Sequence, residues 1–447
     1  MRFKTLLLSS AALMSACSSV LDVNPTSAVP SEVAISDAIG AKAALAGAYA
    51  ALQAGGSYGH RIIDWTELLS DNMRFTGTFD DYADAESHIL RSDNNTATLI
   101  WNAQYNGINR ANQILKHVPD ITDLSDAEKA DIEGQAYFLR ALQYHNLVKL
   151  YGGVPLRLEP VTTAAEAGAI TRATVPEVYT QILADLAKAE QMIANTNTRQ
   201  GTVGAAFAIE ARVRLYQADY PGAESAAAKV ESRGYSLAPN YSSLFDATGN
   251  NTPEDISRVT FTPTQAQLVS FYYLTKPLGG RYEVAPDPSI LLAYDPNSGG
   301  VWANYRPTDA RGIYSISRQG TRTYASKFRN PTGDEDLHVI RLGEVILIRA
   351  EALARLNRLP EAVAEYNRLR VRAGVAADPT IGRTQADVLQ AIAKERRLEL
   401  AFEGDRWPDM VRTGLAIAQG VPANQTLLPI PQREIDTAPG LTQNPGY

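Results

Sequence analysis

Residues 208–230 and 347–369 carry one pattern: a helical run, a turn that opens on proline, and a second helical run. Written out as "AIEARVRLYQADYPGAESAAAKV" and "LIRAEALARLNRLPEAVAEYNRL", they align Ala211 with Ala350, Pro221 with Pro360 and Ala223 with Ala362. Proline suits the first turn of a helix, where its missing N–H has no intrahelical partner to lose. In each copy the two alanines stand twelve residues apart, one on each arm, and small residues there let the arms approach closely. Such a hairpin cannot bury its apolar face alone, and three or more are usually needed for a continuous core. The weaker helical stretches must therefore contribute.

Those stretches read from Ser36 to Gln53, Thr96 to Val118, Asp126 to Tyr151, Val175 to Asn195, Gly204 to Arg233, Arg341 to Asn357, Leu359 to Ala373 and Gln385 to Phe402. In the first, Leu45, Tyr49 and Leu52 fall at i, i+4 and i+7. Ser125 followed by Glu128 gives a capping box, and Gly152, Gly153 and Pro155 give a helix stop. The alanine spacing resembles the tetratricopeptide repeat, although any Ala-rich helical hairpin would match similarly. From Tyr235 to Asp336 the helical period gives way to Gly, Pro, Asn and Tyr, with runs such as Arg311 to Ser317 expected as hairpin strands. A stretch this long is not idle loop, so it is expected to be ordered and to build a surface. The expected class is mainly α: tetratricopeptide-like hairpins carrying a long, irregular, partly β insert.

The 447 residues contain one cysteine, Cys17, which excludes a disulfide within the chain and any Cys-built zinc, iron-sulfur or CxxC site. It follows Arg2, Lys4 and a short apolar run from Leu6 to Met14, a secretory leader too short to remain as a spanning helix. "LMSAC" resembles a bacterial lipobox, with Met14 where Leu is usual; the alternative is an ordinary secretion signal with a stray cysteine. The resemblance implies a leader over 1–16, lipid at Cys17 and a polar leash over 17–35. Losing Arg2 and Lys4 leaves 40 basic against 49 acidic residues, a net charge of −9. A nucleic-acid partner would require a basic surplus.

The tail, "IAKERRLELAFEGDRWPDMVRTG" followed by "LLPIPQREIDTAPGLTQNPGY", resembles the close of the SusD/RagB family of outer-membrane nutrient-binding lipoproteins. "LDVNPTS", "WNAQYNGINRANQIL", "GQAYFLRALQYHNLVKLYGGVPL" and "DLHVIRLGEVILIRAEAL" match in order. The resemblance implies one domain over 36–447: helical repeats at about 36–234 and 337–404, an insert at about 235–336, and a docking segment at about 405–447. It also implies an outer-membrane, probable surface location, a glycan or other nutrient ligand, and a TonB-dependent transporter partner of the SusC type. Ser18 and Ser19, where an acidic run would signal surface display, leave the periplasmic leaflet open.

Residues seven apart on a helix drift by only about 20°, so Leu389, Arg396 and Glu403 share a stripe. Charges that continue an apolar face must be paired when buried. Glu395, Arg396, Arg397, Glu399, Glu403 and Arg406 are therefore read as one internal ionic network. The rival is a glycosidase pair, Glu399 with Glu403, but neighbouring arginines would lower both pKa values where a general acid needs one raised. No catalytic constellation, nucleotide loop or cofactor motif is expected. The five histidines lack zinc spacing, and "DDYADAE" and "DPNSGG" read as solvated loops rather than calcium sites. Sugar faces stack on aromatic rings beside hydrogen-bonding groups. The candidate ligand contacts are Trp65, Asp71, Arg74, Trp101 and Gln104 in one region, with Asn72 and Phe75 beside them. The insert supplies Tyr273, Tyr294, Trp302 and Tyr305, with Tyr272, Tyr282 and Tyr324 nearby. Two other readings are kept: a repeat scaffold of an outer-membrane assembly machine, which predicts a bare solenoid groove, and a glycoside hydrolase.

Overall fold

The computed structural model describes residues 31–161, 163, 166, 168–245 and 251–447; the leader and Cys17 lie outside them. The chain is mainly helical. It begins with α1 (Ala38–Ala50), α2 (Arg61–Leu68), the strand β1 (Met73–Phe75), α3 (Asp80–Glu86), α4 (Asn95–His117), α5 (Asp126–Tyr151), α6 (Val175–Met192), α7 (Val203–Tyr216) and α8 (Tyr220–Glu231). The insert then holds β2 (Asp255–Val259), α9 (Val269–Tyr273), β3 (Val284–Pro286), α10 (Pro288–Tyr294), α11 (Ala310–Ser315), β4 (Ile316–Gln319) and β5 (Arg322–Ala325). β6 (Leu337–Arg341) leads into α12 (Leu342–Arg355), α13 (Leu359–Arg372), α14 (Gln385–Leu400) and α15 (Arg406–Arg412).

Local chemistry sets the helix ends. Ser125 and Glu128 close a reciprocal capping box on α5, Thr174 and Glu177 on α6, and Thr384 and Asp387 on α14. Gly152, at φ 76°, ends α5. Where α4 meets α5, a Cβ on Gly107 would stand 2.0 Å from the Gln143 amide oxygen, so glycine sets that approach. Ala211, Ala223, Ala350 and Ala362 are all fully buried between helices. Consecutive helices from α4 to α8 and from α12 to α14 pack on one another, and α8 packs on α12. The two similar hairpins are thus direct neighbours, with the whole insert looping out between them. At its base β2 pairs antiparallel with β6, Arg258 opposite His338 and Val259 opposite Leu337.

Two expectations need correction. Arg311 to Ser315 is helix rather than strand, because Asp309 caps α11 by accepting from the Arg311 N–H; the strands start at Ile316. "DDYADAE" is helix α3, not a loop. The terminal segment docks on the body: the Asn444 amide donates to the carbonyls of Tyr151 and Leu428, and the Tyr447 hydroxyl to that of Leu427.

A buried ionic cluster joins these parts. Glu399, on α14, meets Arg341 at 2.6 Å and Arg311 at 3.4 Å, and also pairs with Arg372. Glu403 meets Arg341 at 2.8 Å and Lys327 at 2.9 Å. Glu395 pairs with Arg311 and Arg370, Glu254 just before β2 with Arg341 and Arg372, and Asp309 with Arg311. Five carboxylates thus face five cations, drawn from the insert, both of its edges, α13 and α14. Burial alone would raise the Glu399 and Glu403 carboxyls. For Glu399, the Arg372, Arg341 and Arg311 guanidiniums reverse that and hold it well below the carboxylate range; for Glu403, Arg341 and Lys327 bring it from 4.5 to about 2.

Removing one partner of such a set leaves an uncompensated buried charge. Arg341→Ala should cost about 3–5 kcal/mol in urea unfolding; a loss under about 1 kcal/mol would mean that the cluster does not hold the fold. A carboxyl with a lowered folded pKa stabilises fully above its unfolded value and loses that contribution as pH falls through the folded value. The stability gap between the parent and Glu403→Gln should therefore be widest above pH 4.5 and close toward about 2. A gap independent of pH over that window would contradict the assignment.

Candidate functional site

The six charged residues read as one network fall into three sets, and the helix expected to reach Phe402 ends at Leu400, so Glu403 lies past α14 and Arg406 opens α15. Glu395, Glu399 and Glu403 belong to the buried cluster. Arg396 binds Asp409 at 2.6 Å, and Asp409 also meets Arg412, which pairs with Glu351 of α12, so this set fixes α15. Arg397 and Arg406 reach a different region. Arg406 forks onto Asp71 at 2.7 and 2.8 Å. Arg397 donates to the Asp71 carbonyl, the Asn72 amide oxygen and the Ser289 hydroxyl at 2.6–2.9 Å. Burial would raise the Asp71 carboxyl, but Arg406 and Arg397 hold it below its ordinary value. Asp71 is thus a tie between the tail and the residues just before β1.

That tie positions a surface. β1 pairs antiparallel with β3, with Arg74 opposite Ala285 and Phe75 opposite Val284, joining a segment from the start of the chain to the insert. The turn after β1 continues the contact: the Thr76 N–H donates to the Glu283 carbonyl and the Thr76 hydroxyl to that of Tyr282. Around this seam Phe79 and Tyr82 meet Tyr272 edge-on at 5.8 and 6.3 Å, and His60 lies 4.8 Å from the same ring. Phe271 flanks Tyr272 at 5.4 Å, and the Arg281 guanidinium lies 4.1 Å over Phe79. Behind the rings the polar groups pair: Asp64 accepts from Tyr82 at 2.8 Å and meets His60 at 3.0 Å.

Tyr282 stands at the centre with φ 63°, a left-handed conformation that costs a non-glycine residue about 1–2 kcal/mol. It is over-determined. The Arg281 and Glu283 N–H groups donate to the carbonyls of Phe271 and Tyr272, and the Tyr282 hydroxyl donates to the Thr323 carbonyl on β5 at 2.9 Å. Arg322 lies over the Tyr282 ring at 5.1 Å. Burial raises the Tyr282 phenol, while Arg74 and Arg322 pull against it. Phe75, Phe79, Phe271 and Tyr324 are half-buried and Arg74 and Arg322 exposed, so the patch faces solvent. It is open rather than deep. A cavity of about 330 Å³ lies elsewhere, lined by Glu351, Arg396, Asp409 and Arg412, whose charges pair with one another.

Most of the expected contact residues sit behind this patch or away from it. Trp65, Trp101, Gln104 and Tyr273 are at most 2% exposed, in the core rather than on a ligand-facing surface. Trp101 packs on Tyr105 and Tyr151. Tyr294 and Tyr305 are also buried, their hydroxyls spent on the carbonyls of Leu398 and Gly312. Asp71 is tied to Arg406. Trp302 is half-buried, 5.4 Å from Tyr305 on the turn at Trp302–Asn304. Arg74 is exposed on the seam, as are the edges of Phe75 and Tyr324. The sequence alone did not single out Phe79, Phe271 and Arg281; Arg281 next to Tyr282, in a run of insert aromatics, was the available signal.

Residues 20–215 match a family described as starch-binding, associating with the outer membrane, and residues 299–423 match the SusD family. SusD-like protein P38 of Formosa agariphila is 27% identical, over 99% of this chain and 98% of its own. A SusD superfamily protein from Bacteroides vulgatus superposes with a TM-score of 0.81 at 20% identity, covering 92% of this chain and 100% of that one. A laminarin-binding SusD-like protein superposes with a TM-score of 0.76 at 25% identity, again covering 92% and 100%. With two SusD-type matches spanning both helical regions and the fold shared throughout, this chain belongs to the SusD/RagB family.

Proposed function

We propose that the chain captures an oligosaccharide on the aromatic seam around Tyr282 and passes it on unchanged. The observation that carries this reading is the meeting of two segments distant in sequence in one open surface of half-buried rings edged by guanidiniums. Apolar ring faces take the flat faces of sugars, and the flanking donors take hydroxyls. The laminarin-binding neighbour supports a saccharide ligand. Glu399 and Glu403 argue against serving as an acid–base pair, because both are buried and held as carboxylates by Arg311, Arg341, Arg372 and Lys327, so neither is raised to act as the acid. In this reading Cys17 carries lipid, the mature chain sits on the outer membrane facing the cell exterior, and a SusC-like TonB-dependent barrel receives the glycan beneath it. The protein acts as that barrel's lid.

Calorimetry against a panel of oligosaccharides should find a binder, and Phe75→Ala with Tyr324→Ala should weaken it about tenfold or more without lowering the melting temperature much. Unchanged affinity would remove the seam as the site, and turnover of the bound sugar would overturn the non-enzymatic reading. Expressed with its leader, the protein should be acylated at Cys17 by intact mass and leave the membrane fraction as Cys17→Ala. An unlipidated mature form would contradict the anchor. Purification from membranes should recover a TonB-dependent barrel; recovery of assembly factors alone would favour the scaffold reading.

A further inference from the structure

The seam carries cations without a carboxylate partner although the chain as a whole carries a net charge of −7. Arg311, Arg341, Arg372, Arg396, Arg406 and Arg412 are all matched to carboxylates. Arg74 and Arg322 have no ion-pair partner among the described residues. Four nearby carboxylates accept hydrogen bonds from other groups. Glu283 takes Arg281 and the Thr78 N–H, Asp64 takes His60 and Tyr82, Asp81 takes Thr96, and exposed Glu86 accepts from the Phe75 N–H. Arg322 and Tyr324, two residues apart on β5, point to the same face of the hairpin. A guanidinium lying over a ring keeps its in-plane N–H donors free, and that planar fork matches a carboxylate or a sulfate as an ammonium does not.

We propose that this surface prefers acidic saccharides, with the Arg74 and Arg322 guanidiniums receiving a carboxylate or sulfate carried by the sugar. The inference rests on the glycan-binding reading above and specifies the ligand class. A neutral sugar meets these two arginines only through its hydroxyls, whereas an acidic sugar makes charge-assisted hydrogen bonds with them at the edge of the same site.

The test is calorimetry of the full chain with three length-matched sets: neutral gluco-oligosaccharides, glucuronate-containing ones and sulfated ones. At least one acidic set should bind roughly tenfold tighter than the neutral set at low salt, and the advantage should shrink at about 0.5 M salt. The double variant Arg74→Gln with Arg322→Gln should weaken the acidic sets far more than the neutral one, so that the ratio of their affinities falls toward one; each single variant should lose part of the advantage. The carboxylate and sulfate arms separate the two sources of anion. Equal affinity for neutral and acidic sets, or an advantage untouched by the arginine variants, overturns this inference and leaves the glycan reading standing. Binding to none of the three sets overturns both.

Discussion

Glu399 is the point through which the parts of this molecule are joined. A carboxylate with no access to water is costly unless cations surround it, and here Arg341, Arg372 and Arg311 do so from three separate elements. Arg341 ends the strand that closes the insert, Arg311 lies inside the insert, and Arg372 ends the second arm of a repeat hairpin. Satisfying one side chain of α14 therefore requires the insert, its base and the repeats to sit in one register. The energetic meaning is specific. Well-packed apolar residues replacing the whole set would be no less stable, whereas loss of one member strands its partners. The cluster thus fixes arrangement more than it adds net stability.

The scaffold was legible because helices write their period into the sequence. The alanine pairs of the two hairpins, the Ser125 and Glu128 cap and the glycine stop after Tyr151 all depend on neighbours a few residues away. The charged spacing was legible for the same reason, since Glu395 and Glu399 on α14 and Glu403 just past its end recur every four residues. Its division into three sets was not. That division depends on Asp71, Glu254, Arg341 and Asp409, most of which lie far away in the chain, and periodicity carries no information about them. The Asp309 cap that turns 310–315 into helix was written locally and outweighed by the apparent alternation that follows it.

Aromatics in the insert were legible as a population but not residue by residue. Tyr294 and Tyr305 differ from Tyr324 in what lies above them, and a segment without period does not encode which ring faces inward. Burial separated them: a phenol that meets a backbone carbonyl of α14 or α11 is structural, while Tyr324 and Phe75 keep an open edge. Tyr282 adds a positive φ held by hydrogen bonds that both neighbours donate and by its own hydroxyl's bond to the Thr323 carbonyl of β5, strain retained where backbone and ring must be placed together. Arg397 and Arg406 connect the two findings. By tying Asp71, Asn72 and Ser289, they make the geometry of the seam depend on α14, which locks the core, and on α15 after it. Loops on such a support can vary their surface without loosening the frame.

Hydrogen–deuterium exchange of the full chain, with and without a bound oligosaccharide, tests this account most directly. It reports where the ligand sits and whether the frame moves. The account predicts added protection confined to residues 74–82, 271–284 and 322–325, with α14 and its ion-pair partners equally protected in both states. Protection centred on the repeat hairpins, or a change in exchange across α14 on binding, would contradict it.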